Sequence, residues 1–338
     1  MNKGSAAKMW ILAAVAAAAM LLGLGLGSVF ITPVDILAVL GQKLLGLGPL
    51  RPVSNSTVAI FWDIRLPRAV MAFLVGGALS VSGVLMQSVL RNPLASSYTL
   101  GISSGAAVGA SLAVVFGLNF LGAFTLPLFG LIFGMGTVLL AVGVASRLDR
   151  NLGNTTIILT GMAFSLFANA VISFLMAWAK EASQRILFWQ MGSFAMKDWR
   201  NPAILLPVLL AGLAVAMLLS REMDMLTFGE EQAKTAGVEI VRVKWMLLLT
   251  GAVLTGCSVA MVGVIGFVDL FTPHLARRLF GSRHRLVVPA AALLGGAFMV
   301  LCDLVARTLF APMELPVGAV TAALGAPFFL YLYFCKRR

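Results

Sequence analysis

An all-α fold that crosses a membrane many times is the architecture this 338-residue sequence predicts, and three observations carry the expectation. The chain is 60% hydrophobic and only 11% charged, a balance foreign to soluble globular domains. Its apolar residues gather in long uninterrupted runs, and roughly 20 such residues cross about 30 Å of hydrocarbon as a helix. The runs also lack the period-two alternation of a membrane barrel, and lipid obliges each helical span to satisfy its own backbone.

In chain order the runs cover residues 9–30, 69–90, 100–116, 121–145 and 156–179, then 203–219, 245–264, 287–305 and 317–334. A shorter stretch over 266–280 crosses only if it is tilted, re-entrant or shielded by protein. With it the expected count is ten spans. Lys3 and Lys8 ahead of the first run, with Gly27 and Ser28 after it, imitate a cleaved secretory signal, but an apolar length of about 22 residues favours a retained helix.

Ten spans place both termini on one side, and the Lys/Arg distribution makes that side cytoplasmic. Sixteen of the 25 Lys and Arg then lie inside, among them Arg91, Arg147, Arg150, Arg277, Arg278 and the terminal Lys336, Arg337 and Arg338. The net charge of +12 reads as attraction to an anionic inner leaflet, and no nucleic-acid partner is expected.

One segment breaks the oily pattern. Residues 224–244 read "DMLTFGEEQAKTAGVEIVRVK", and five of the thirteen acidic residues fall between Arg221 and Lys244. Between the sixth and seventh spans, this predicts short cytoplasmic helices broken near Gly229 and Gly237. A solvated connector is the plain reading, but the segment is long for a connection. Its apolar positions Met225, Leu226, Phe228, Ala233, Ala236 and Val238 suit a docking surface better.

Other polar and small residues admit two readings. Gly101, Gly105 and Gly109, and likewise Gly130 and Gly134, recur at four-residue intervals and suit close helix packing more than substrate passage. Arg91, Asn92 and Pro93 form a turn that stops the second span, close to the charged segment. Arg65, Arg68 and Arg307 flank spans on the opposite side, where snorkelling explains them. "RILFWQMGSF" over Arg185–Phe194 is amphipathic, with Trp189 and Trp199 as interfacial anchors.

The run from Arg65 to Ser111, "RLPRAVMAFLVGGALSVSGVLMQSVLRNPLASSYTLGISSGAAVGAS", resembles the FecCD family, the permeases of ABC importers for iron chelates, haem and cobalamin. "WQMGSF" at Trp189, "GEEQAKTAGV" at Gly229, "GVIGFVDLFTPHLARRLFG" at Gly263 and "DLVARTLFAPMELPVGAVTAALGAPFFLYLY" at Asp303 extend the likeness over residues 29–333.

The resemblance implies ten transmembrane helices in a bacterial cytoplasmic membrane, with the chain paired with a second copy or a close paralogue. It also implies two cytoplasmic ATPase subunits and an extracytoplasmic binding protein. The whole chain, 1–338, is then one permease domain, with a coupling segment at 221–244 and a gate-helix segment at 180–198. Matching positions make Thr227, Phe228, Gly229, Glu230, Glu231, Gln232, Ala233, Lys234, Thr235, Ala236, Gly237 and Val238 the contact with the ATPase.

Arg65, Arg68 and Arg307 match arginines that meet carboxylates on the binding protein, a use suited to the planar guanidinium. Trp189, Gln190, Met191 and Gly192 match the outer gate. Leu148, Asp149, Arg150, Asn151, Leu152 and Gly153 then form the inner one, though a simple turn also explains that loop. Asp269 departs from the family's usual small residue, so its carboxylate lines the pathway or caps a helix.

Catalytic signals are missing from the sequence. It has two histidines, His274 and His284, no nucleophile with an evident base, and no phosphate-cradling loop. ATP hydrolysis is therefore expected in a separate subunit and no cofactor on this chain. Cys257, Cys302 and Cys335 are scattered, so a disulfide framework or protein-held metal is not expected. An iron–siderophore is the expected cargo, with haem or cobalamin as alternatives. An ion-coupled secondary transporter is the rival of another class, and it would use Asp269 or Asp303. Asp303, four residues before Arg307, can instead pair with it.

Overall fold

The computed structural model describes residues 3–27, 29–46 and 53–334, so Ser28, Cys335, Lys336, Arg337 and Arg338 lie outside the described residues. Among the described residues, fifteen α-helices follow in order: α1 (Lys3–Gly25), α2 (Pro33–Leu45), α3 (Asn55–Ala59), α4 (Leu66–Leu90), α5 (Ile102–Val115), α6 (Thr125–Leu148), α7 (Asn154–Trp178), α8 (Lys180–Gln190), α9 (Arg200–Leu218), α10 (Ser220–Phe228), α11 (Glu230–Thr235), α12 (Ile240–Val262), α13 (Val268–Phe280), α14 (His284–Thr308) and α15 (Val317–Phe334). Among the described residues there is no strand. A π-helical turn, Ile60–Arg65, joins α3 to α4.

Among the described residues, seven stretches are long and apolar enough to cross a membrane, and Ile102–Val115 and Val317–Pro327 are shorter apolar helices. Of the nine runs expected at full length, 100–116 supplies only the 14 residues of α5, whereas 317–334 is the 18-residue α15. Gly101, at φ +78°, delays the start of α5, and Gly117, at φ +62°, follows its end. The first helix also stops at Gly25 and not near residue 30, and Ile31 turns back to donate to the Gly25 carbonyl. The doubtful 266–280 stretch is α13, whose 13 residues rise only about 20 Å. It packs against α4 and α14, and its first half is largely buried.

α4 is the axis of the bundle. It is buried almost throughout and packs along α14, α12, α13 and α9. Small residues make this possible. A Cβ on Gly76 would collide with the Gly295 carbonyl, and one on Gly83 with the carbonyl of Asp269, so α14 and α13 approach α4 backbone to backbone. Hydroxyls pair between these helices: Thr255 donates to Ser82 at 2.8 Å, and Thr272 to Ser80 at 2.7 Å. Gly105 and Gly109 lie against Thr137 and Phe129 of α6, as the packing reading of that stripe expects.

Two helices lie where the sequence reading has none. α2 begins at an N-cap Thr32 that accepts from the Asp35 amide at 3.2 Å, carries Pro33 in its first turn, and ends at Gly46 with φ +63°. α3 begins at Ser54, which accepts from the Thr57 amide.

Candidate functional site

The polar residues of the fold concentrate at the two ends of α4. At its Leu90 end lie α10 and α11, the two short helices of the 224–244 segment, split where Gly229 takes φ 127°. A side chain at that position would strike Gln232. α11 closes through paired bonds from Gly237 to the Lys234 carbonyl and from Val238 to the Ala233 carbonyl, with Gly237 at φ +86°; this is the glycine-terminated helix end expected near Gly237. Met223, Leu226 and Ala233 are buried beneath the pair, whereas Phe228 is 71% exposed beside Gly229.

Lys244, in the first turns of α12, is fully buried. Its ammonium donates to the Leu152 carbonyl at 2.7 Å, to Glu230 Oε1 at 2.9 Å and to Asn154 Oδ1 at 3.1 Å. An ammonium has three protons, and all three are used.

α6 runs through Leu148 and α7 starts at Asn154, so the loop expected between them is shorter than 148–155. The connection is only Asp149–Gly153. Asp149 accepts from the amides of Asn151 at 2.9 Å and Gly153 at 2.8 Å, and these bonds hold its carboxyl below the usual carboxylate range. Between them Leu152 is buried with φ +50°, a conformation uncommon for a bulky residue. Asn154 donates to the Leu90 carbonyl at 3.1 Å, which ties the turn to the end of α4. Arg150 and Asn151 are exposed. A cleft of about 690 Å³ separates Asn151 from Glu231, Lys234 and Glu239.

A second buried node holds α10. Asp224 Oδ1 accepts from the His284 amide at 2.9 Å and lies 2.7 Å from His284 Nδ1, while His284 Nε2 lies 2.7 Å from Ser88 Oγ of α4. A serine, a histidine and a carboxylate thus meet, which the sequence reading missed because 88, 224 and 284 lie far apart. The order imitates a nucleophile with its base. Ser88, however, is 4% exposed and also bonds the Val84 carbonyl, so the set ties three helices and offers no opening to a substrate.

At the Leu66 end, the three arginines are engaged within the chain. Arg68 donates from Nε and Nη2 to Asp303 at 2.9–3.1 Å and from Nη1 and Nη2 to Glu314 at 2.8 and 3.1 Å. Arg65 donates to the carbonyls of Leu24, Gly25 and Val29, and Arg307 to that of Gly23. Of these, the Gly23 and Leu24 carbonyls are left open at the end of α1, and the two arginines satisfy them. Arg307 also lies 3.7 Å from Asp303, so the expected pair forms, but Arg68 is the main partner of Asp303.

Trp189 and Gln190 end α8, and Met191 and Gly192 follow it. The Met191 and Gly192 carbonyls accept from Gly318 and Val317, both at 3.2 Å, which joins this segment to the start of α15. Trp199 Nε1 donates to the Trp62 carbonyl at 3.0 Å. Asp269, in the first turn of α13, accepts from the Ser97 amide and hydroxyl at 3.0 and 2.8 Å; it tethers a neighbouring turn, close to the helix-capping alternative. Among the described residues no three His, Cys, Asp or Glu gather where a metal ion could be held. Sequence reasoning did not single out Lys244, Asn154, Asp224 or Glu314 as site residues. A lysine directly before the apolar run 245–264 was the one available signal for Lys244.

The FecCD transport family matches residues 15–334. The chain is 38% identical over 324 residues to an uncharacterized ABC transporter permease protein, YvrB, of Bacillus subtilis, covering 95% of this chain and 92% of the relative. It is 39% identical over 289 residues to the cobalamin import system permease protein BtuC of Halobacterium salinarum, covering 83% and 74%. A solved structure described as an inward-facing conformation of a metal-chelate type ABC transporter superposes with a TM-score of 0.84 at 30% identity, covering 96% of this chain and 98% of that one.

Proposed function

Since this chain belongs to the FecCD transport family, we propose that it forms the passage for an iron–siderophore or related metal chelate, received from a binding protein and driven by two ATPase subunits. The chain is a multi-pass ABC importer permease, and hydrolysis lies in a separate subunit. In this reading it has ten membrane helices with both termini cytoplasmic and pairs with a second copy in a bacterial cytoplasmic membrane. It is one permease unit, 1–338, carrying the 221–244 coupling segment and the 180–198 gate segment.

The observation that carries the coupling assignment is the exposed Phe228 at the Gly229 break between α10 and α11. An apolar side chain on a polar helix pair suits a partner's cleft. Residues Thr227 to Val238 meet the ATPase, Leu148 to Gly153 form the inner gate, and Trp189 to Gly192 the outer one. For Arg65, Arg68 and Arg307 the internal bonds favour a supporting role behind the docking face, with the half-exposed Glu314 nearest to solvent.

Uptake into proteoliposomes holding the permease, its ATPase and its binding protein tests the reading. We expect ATP-dependent uptake of a ferric siderophore. Haem, cobalamin and molybdate belong in the same assay, since relatives are named for those cargoes. Uptake driven by a proton gradient without ATP contradicts it.

A further inference from the structure

We propose that Lys244 is the positioning residue that carries movement of α11 into the Asp149–Gly153 turn and the Leu90 end of α4. The inference rests on the reading of residues 227–238 as the ATPase-coupling segment.

The three acceptors of its ammonium belong to separate parts of the chain. Glu230 opens α11, Leu152 lies in the turn, and Asn154 starts α7. Lys244 itself stands on α12. Its charge is buried, so each acceptor is held in place by the cost of leaving an ammonium unpaired. The turn is built to receive it. Leu152 takes a left-handed conformation while its carbonyl meets Lys244, and Asp149 fixes the amides on either side. Such an outlier persists only where its surroundings over-determine it. Asn154 passes the contact on to the Leu90 carbonyl.

The neighbouring helix is anchored differently. Asp224 fixes α10 to His284 of α14, and His284 meets Ser88 of α4. Between the anchored α10 and α11 lies Gly229, at a φ that favours glycine. α11 therefore turns about Gly229 while α10 stays in place, and Lys244 is the side chain α11 grips.

The test uses two single-cysteine reporters, Thr235→Cys on α11 and Asn151→Cys on the turn, both at exposed positions, with Cys257, Cys302 and Cys335 replaced by Ala. Alkylation by a water-soluble maleimide is timed in the membrane complex, before and after trapping with ATP and vanadate. We expect trapping to change the rate at both positions. With Lys244→Met, or with the milder Glu230→Gln, the change at Thr235 persists and the change at Asn151 is lost. A purely structural lysine would lower thermal stability without separating the two reporters. An Asn151 response that survives in both variants overturns the role of Lys244. If Thr235 does not respond even without those variants, the coupling assignment fails, and this inference with it.

Discussion

The two ends of α4 solve the same problem in different ways. At the Leu66 end, the Arg68 guanidinium meets two carboxylates through paired bonds, and Asp303 has Arg307 as a second neighbour. At the Leu90 end, one ammonium joins three elements through single bonds. Planar, bidentate pairing fixes orientation, whereas an ammonium is a point charge on a flexible stem. One end is a clamp; the other is a joint. A buried charge held by one planar partner set favours rigidity, and one shared by independent elements suits the transmission proposed for Lys244.

Breaking the clamp should have the largest effect. Asp303→Ala leaves two largely buried arginines facing Glu314, and we expect a loss of about 3–5 kcal/mol, read as a lowered unfolding midpoint in detergent. Gly76→Leu tests the shaft between the ends. Its side chain would drive α4 away from Gly295, at about 1–3 kcal/mol, and the same assay reads it. Lys244→Met should cost less than the clamp variant, about 1–3 kcal/mol, because Glu230 is 30% exposed and can turn to water.

The smaller effects sharpen the contrast. Glu314→Gln removes an exposed partner of Arg68 and should cost about 0–1 kcal/mol, less at high salt. Asp149 gives a pH dependence. Its carboxyl titrates below the usual range because of the Asn151 and Gly153 amides, so its contribution is present above the ordinary carboxylate pKa and is lost as pH falls through the lowered value. Hydrogen exchange at those two amides, corrected for intrinsic rates, should speed up over that acidic window and stay protected at neutral pH.

Much of the fold was legible because apolar run length reports spans directly, and the breaks at Gly229 and Gly237 were visible as glycines in a polar stretch. The start and stop signals of α2, Thr32, Pro33 and Gly46, stand in the sequence, but its 13 residues are too few to read as a span. What the sequence could not show were contacts between distant residues. Lys244 looks like any lysine flanking a span until Leu152 and Glu230 are placed around it, and Arg68 looks like a surface anchor until Asp303 reaches it from 235 positions away. Length also misled: residues 100–116 read as a full span, yet Gly101 and Gly117 confine α5 to 14 residues.

The most direct test of the account is a photo-crosslinker placed in turn at Phe228 and at Met313, which is 71% exposed beyond the Leu66 end, in membranes holding the full transporter. The account predicts an adduct of the size of the ATPase subunit from Phe228 and none from Met313. An ATPase adduct from Met313 with none from Phe228 would contradict it.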